Sequence, residues 1–193
     1  MRRIVRSIAV LGVLALGACG GGGSVLSFDD NSQPDRTVVT VQGPSNIARV
    51  LPGSSIAISA TPVRGSQNGT VFANRFIWSA VLLTSGQYIA NTLGQTKACG
   101  SIQFTPAGGS ASALTQDMSL YVTIDPVNEA NIIFTPPAAF PVPTGAPAGS
   151  TVTPAYPYCV VITATPLNKS GTPQGGEAGS ITVAVVNPLA PTQ

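Results

Sequence analysis

Histidine is absent from the 193-residue chain, and ionisable side chains are scarce: nine Lys and Arg and seven Asp and Glu, or 8% of the sequence. An average soluble protein carries about 25%. Without an imidazole there is no Ser-His-Asp or Cys-His pair, no His-ligated zinc and no imidazole proton shuttle. A disordered acidic or basic tail is excluded too, because 44% of the residues are hydrophobic and such tails combine high charge with low hydrophobicity. Long apolar runs are also missing. The uncharged stretch at residues 7–16 would rise only about 15 Å as a helix, half the thickness of a bilayer's hydrocarbon core. Glycine (21) and proline (17) are plentiful instead, which excludes a coiled coil or helical bundle.

The few charges are unevenly placed. Arg2, Arg3 and Arg6 precede the apolar stretch, and Gly17-Ala18-Cys19 follow it. A cationic start, a short apolar segment and small residues at a cut site make up a secretory signal peptide. Leu16-Gly17-Ala18-Cys19 resembles the lipobox of bacterial lipoproteins, and the resemblance covers about the first 24 residues. It implies that residues 1–18 are removed and that the Cys19 thiol takes up a diacylglycerol. Acylated Cys19 would then hold the protein in membrane lipid at the bacterial cell envelope, each buried methylene contributing about 0.8 kcal/mol. Gly20 after the cysteine, in place of Asp, implies sorting to the outer membrane. Gly20 to Gly23 and Ser24 lack the stiffness to pack, so residues 19–36 read as a tether. Once the signal has gone, six cations face seven carboxylates, a formal charge of −1.

From residue 37 to 187 the pattern is that of one all-β domain, with residues 188–193 as a tail. Runs rich in Val, Ile, Thr and aromatics recur between Gly, Pro, Ser and Asn clusters, as strands do between turns. Strands are expected at 37–42, 54–62, 75–83, 101–105, 119–124, 132–135, 159–165 and 180–186. Ile56, Ile58 and Ala60 alternate with Ser55, Ser59 and Thr61; Leu120, Val122 and Ile124 with Tyr121 and Thr123; Ile181, Val183 and Val185 with Thr182 and Ala184. One buried and one wet face per strand predicts antiparallel sheets. About 150 residues are ample for a single core.

Residues 57–63 and 161–167 match in type at every position (AISATPV and VITATPL), which predicts two comparable core strands. Between them lies Phe76-Ile77-Trp78-Ser79, with Trp78 expected in the core. The opening Val39-Thr40-Val41, the Leu51-Pro52-Gly53-Ser54-Ser55 lead-in, the Trp strand and the closing pair of strands together resemble bacterial immunoglobulin-like domains, most nearly the group 2 kind. The resemblance implies an immunoglobulin-like antiparallel β-sandwich. Group 2 domains are about half this length, so residues 83–157 are expected to hold inserted loops.

Cys99 and Cys159 remain once Cys19 is lipidated. An exported, oxidising setting predicts a disulfide between them, the alternative being two buried thiols. If Ile58 and Ile162 both point inward, Cys159 points outward, and the bridge would staple the inserted segment to the start of the late strand. Among the carboxylates, Asp117, Asp125 and Glu129 are the only candidates for a glycosidase-like pair, and nothing places two of them across a cleft. The stretch Asp125-Pro126-Val127-Asn128-Glu129-Ala130-Asn131 lacks the alternation of a calcium loop and reads as a turn capped by Asp125. No metal site or cofactor motif is evident.

Residues 135–157 hold seven prolines in 23 positions and read as a long extended loop. Phe140, Tyr156 and Tyr158 lie in or beside it. They either pin the loop to the sandwich or form a ligand-binding platform. Scattered single cations leave no basic stripe for nucleic acid. The expected function is a lipid-anchored, non-catalytic module for binding, adhesion or scaffolding, with an envelope protein or glycan as partner. The alternatives are a carbohydrate-binding accessory or envelope enzyme that uses the Pro-rich loop, and a strand-accepting subunit of a surface assembly.

Overall fold

Runs of β-branched residues, each cut short by Gly, Pro or Ser before a helix could propagate, become strands throughout the described chain. A computed structural model describes residues 36–42, 47–63, 75–167, 171–173, 177–187 and 189. The chain divides into residues 1–33 and residues 34–193, and every described residue lies in the second unit. The signal segment, Cys19 and the glycine run lie outside the described residues.

The strands are β1 (Arg36–Val41), β2 (Arg49–Val50), β3 (Ile56–Val63), β4 (Phe76–Leu82), β5 (Gln87–Ile89), β6 (Thr96–Ala98), β7 (Ile102–Thr105), β8 (Ser112–Ala113), β9 (Val122–Ile124), β10 (Asn131–Phe134), β11 (Thr151–Pro154), β12 (Tyr158–Pro166) and β13 (Gly179–Val185). One four-stranded sheet has the order β1-β3-β10-β9 and is antiparallel throughout. The other has the order β2-β13-β12-β4, antiparallel except where β2 runs parallel to β13. A three-stranded sheet, β11-β7-β8, and a β5-β6 pair complete the set.

The inner faces of the two large sheets meet. Ile58, Ile132 and Phe134 from one sheet join Trp78, Val160 and Val183 from the other in a single buried cluster, an arrangement consistent with a β-sandwich. Alternation at 56, 58 and 60 appears as expected, with all three buried. Trp78 is buried, and its indole Nε1 donates to the Glu129 carbonyl oxygen at 2.8 Å. Asp125 Oδ1 accepts from Val127 N at 2.9 Å and Asn128 Oδ1 from Ala130 N at 3.2 Å, so the 125–131 segment is a doubly capped turn.

Three expectations are corrected. Residues 119–124 are not one strand: Ser119–Tyr121 forms a 3-10 turn and only Val122–Ile124 is extended. The cause is local. Asp117 Oδ1 accepts the Ser119 N–H at 2.8 Å and Tyr121 N donates to Met118 O at 3.0 Å, closing a turn the apolar alternation does not reveal,. Hydrogen bonds from the Ser119 side chain and backbone hold the Asp117 carboxyl below its usual pKa. The turn resets the phase of the side chains, so Leu120 is 89% exposed while Tyr121 and Val122 pack on the core. Second, residues 135–157 are not all loop, because β11 pairs with β7 inside them. Third, β13 does not have one wet face: Ala184 is buried like Val183 and Val185.

Ile162 is fully buried at mid-strand, paired with Ala80 of β4 and Ile181 of β13. Ile162→Ala is expected to cost about 2–5 kcal/mol, read as a lowered denaturant midpoint. Thr123→Ala, on an exposed position, should stay within about 0.5 kcal/mol of the parent.

Candidate functional site

Three places bring chemistry-bearing residues together. The first is the outer face of β12 and β13. Cys159 and Ala184 are register partners there, and both are buried under Tyr88 and Ala90 of the β5-β6 region. Cys99 reaches Cys159 from the end of that region with a Cα–Cα separation of 5.6 Å, and the two form a disulfide. Cys159 therefore faces away from the main core, as the strand phase predicts, but it is covered. The β5-β6 region makes a second layer there. Gly100 allows the close approach: its N–H donates to Pro157 O at 2.6 Å, and a Cβ there would overlap the Ala155 carbonyl oxygen,.

The second place holds the aromatic residues of the Pro-rich segment. Phe140 meets Tyr158 edge-on with ring centroids 5.4 Å apart, and Tyr156 lies 5.5 Å from Tyr158 on a tilted plane. Both distances fall in the range of attractive ring pairs. The structure thus brings all three rings together, but Tyr158 is wholly buried and its hydroxyl has no hydrogen-bond partner among the described residues. Phe140 and Tyr156 are half-buried and pack against the core. Burial, reinforced by the Tyr156 and Tyr121 hydroxyls, pushes the Tyr158 pKa far above the usual tyrosine value. Burial raises Tyr156 as well.

The third place is a groove of about 450 Å³ at the seam between β1 and β13. Val39, Thr40 and Val41 form one wall, and Ser180, Ile181 and Thr182 the other. Residues 87–89 and Thr96 of the β5-β6 pair overhang it, with Ala48 at one end. Arg49, next to Ala48, stacks its guanidinium over the Tyr88 ring at 5.7 Å, an attractive cation–π arrangement. The sequence holds no signal for this groove, because β5 and β6 are three residues each, too short for periodicity to register.

Among the described residues no group of three or more Cys, Asp or Glu is placed to hold a metal ion, and no helix is long and apolar enough to cross a membrane. Neither the scan against protein-family models nor the search of curated proteins finds a match to this chain.

Two outcomes follow from the buried groups. Replacing an unpaired buried hydroxyl by hydrogen removes its desolvation cost, so Tyr158→Phe should stabilise the fold by about 1 kcal/mol at neutral pH. The folded-state pKa of Tyr158 is raised, so its contribution is complete below pH 10 and falls as pH climbs above that value. The parent should therefore lose stability in alkali faster than Tyr158→Phe, as pH-dependent urea unfolding would show. Non-reduced peptide mapping should join Cys99 to Cys159, and reduction should lower stability by about 2–4 kcal/mol.

Proposed function

We propose that this chain is a bacterial envelope lipoprotein, anchored through acylated Cys19, whose immunoglobulin-like domain serves as a non-catalytic binding, adhesion or scaffold module. The observation that carries the domain reading is the strand order. An immunoglobulin constant-type sandwich sets A-B-E-D against C-F-G. In chain order β1, β3, β9 and β10 take the roles of A, B, D and E, and β4, β12 and β13 those of C, F and G. The Trp of β4 also stands where that fold buries its own,. The disulfide departs from the antibody pattern. It joins the F-like strand to the segment inserted after the C-like strand, so it staples a decoration and does not bridge the sheets.

The lipoprotein reading rests on the Leu16-Gly17-Ala18-Cys19 sequence after a cationic, apolar start. A run of Gly and Ser follows Cys19, a composition that suits a tether between an anchor and a binding module. The absence of histidine and the scatter of the carboxylates favour binding over catalysis,.

The anchor is tested by fractionation. The parent should partition with membranes and label with a radioactive fatty acid, whereas Cys19→Ser should appear in the soluble fraction without label. A Cys19→Ser protein retained by membranes would refute the anchor.

A further inference from the structure

We propose that the seam groove binds an uncharged, extended peptide segment of a partner, which adds as a short strand to the free edge of β13. This deepens the binding-module reading above and rests on it. The argument begins with which peptide groups face the groove. Ala184 N donates to Ala48 O at 2.9 Å and Val186 N to Val50 O at 3.0 Å. The even-numbered residues at this end of β13 therefore turn their peptide groups away from β12 and toward β2. Alternation carries the same orientation back to Thr182 and Ser180. β2 pairs only with Ala184 and Val185, so the N–H and C=O groups of Ser180 and Thr182 face the groove with no backbone partner among the described residues.

The opposite wall repeats the pattern. Gln42 N donates to Ala57 O at 2.9 Å, so the even-numbered residues of β1 bond to β3. The peptide groups of Val39 and Val41 then point the other way, into the seam. On the β13 side, donors and acceptors recur every second residue, about 6.6 Å apart, which is the spacing of a strand. A peptide matches that array. An acyl chain would leave it unmatched, at the cost of burying unpaired polar groups.

Chemistry of the walls narrows the ligand. Val39, Val41 and Ile181 give an apolar floor, Thr40, Ser180 and Thr182 a hydroxyl-bearing rim, and no Asp, Glu, Lys or Arg among the described residues lines the groove. A charged segment would be desolvated against these walls, the nearby Arg49 guanidinium being already stacked over the Tyr88 ring, so the fitting segment carries Val, Ile, Ala, Ser or Thr. The chain itself supplies the precedent: β2 already occupies the adjoining part of the same edge, in parallel. Strand addition to an open sheet edge, with side-chain pockets setting selectivity, is an established mode of peptide capture.

The test uses the purified full chain and a capped hexapeptide of alternating Thr and Val. Saturable binding is expected, with amide hydrogen exchange at Ser180 and Thr182 slowed at least tenfold. The same peptide N-methylated at alternate residues should bind at least tenfold more weakly. Thr182→Pro should lose binding to the same degree, because its missing N–H is one that β12 does not use; the N-methylated peptide gives the same information if this variant misfolds. No binding at millimolar peptide would overturn the proposal, as would binding that leaves those two amides exchanging at their free rates. Octyl glucoside filling the groove where the peptide fails would overturn it in favour of an acyl-chain site. Membrane release of Cys19→Ser bears on the anchor alone, so the two readings fail separately.

Discussion

The central place of β12, paired on both edges and buried along one face, is the constraint from which the rest of this architecture follows. Tyr158, Val160, Ile162 and Ala164 fill the main core from one face, while Cys159 on the other is covered as completely. The strand also pairs along its length with β4 on one side and β13 on the other. A strand paired on both sides, with one face in the core and Val161, Thr163 and Thr165 on the other only partly covered, cannot shift its register by one residue without exchanging its two faces. The position of β12 thereby fixes β4 and β13, and the disulfide carries that constraint outward to the β5-β6 region.

Legibility in the sequence tracked the length and amphipathicity of each element. β3 announces itself because six or more alternating residues carry the signal, β12 because residues 161–167 match 57–63 in type, and Trp78 sits where an aromatic between apolar neighbours is expected. The direction in which Cys159 points was legible for the same reason, being fixed by the phase of Ile162. What stayed hidden was decided by tertiary contact or by side-chain-to-backbone bonds. The hydroxyl of Ser119 reaches the Ala80 N–H at 3.2 Å, helping fold an apparently alternating stretch into a turn. β2, β5, β6 and β8 are two or three residues long, too short for a periodic pattern to register, and β2 pairs with a strand far along the chain,. The groove is a property of those short strands, so no local pattern could disclose it.

The aromatic cluster shows how composition and placement can differ in meaning. Three rings near a proline-rich stretch suggest a platform for a ligand, yet one ring is the centrepiece of the core and the other two lean on it. They tie residues 136–157 to the sandwich, and prolines there limit the entropy lost on ordering. The unpaired hydroxyl of Tyr158 is a local cost accepted within an otherwise apolar packing arrangement,.

The 3-10 turn after Asp117 has one more effect. Leu82 N donates to Gln116 O at 3.2 Å, Met118 N to Ala80 O at 2.8 Å, and Ser119 Oγ receives the Ala80 N–H. These bonds occupy the outward peptide groups on that half of β4, the last strand of its sheet. Sheet rims left unsatisfied invite neighbouring molecules to stack end to end, and most proteins discourage this with lysines or strong net charge. A chain this poor in charge has little electrostatic repulsion with which to keep its copies apart. Self-association at this rim is blocked by a short piece of its own backbone, so colloidal stability rests here on sterics and saturated hydrogen bonding.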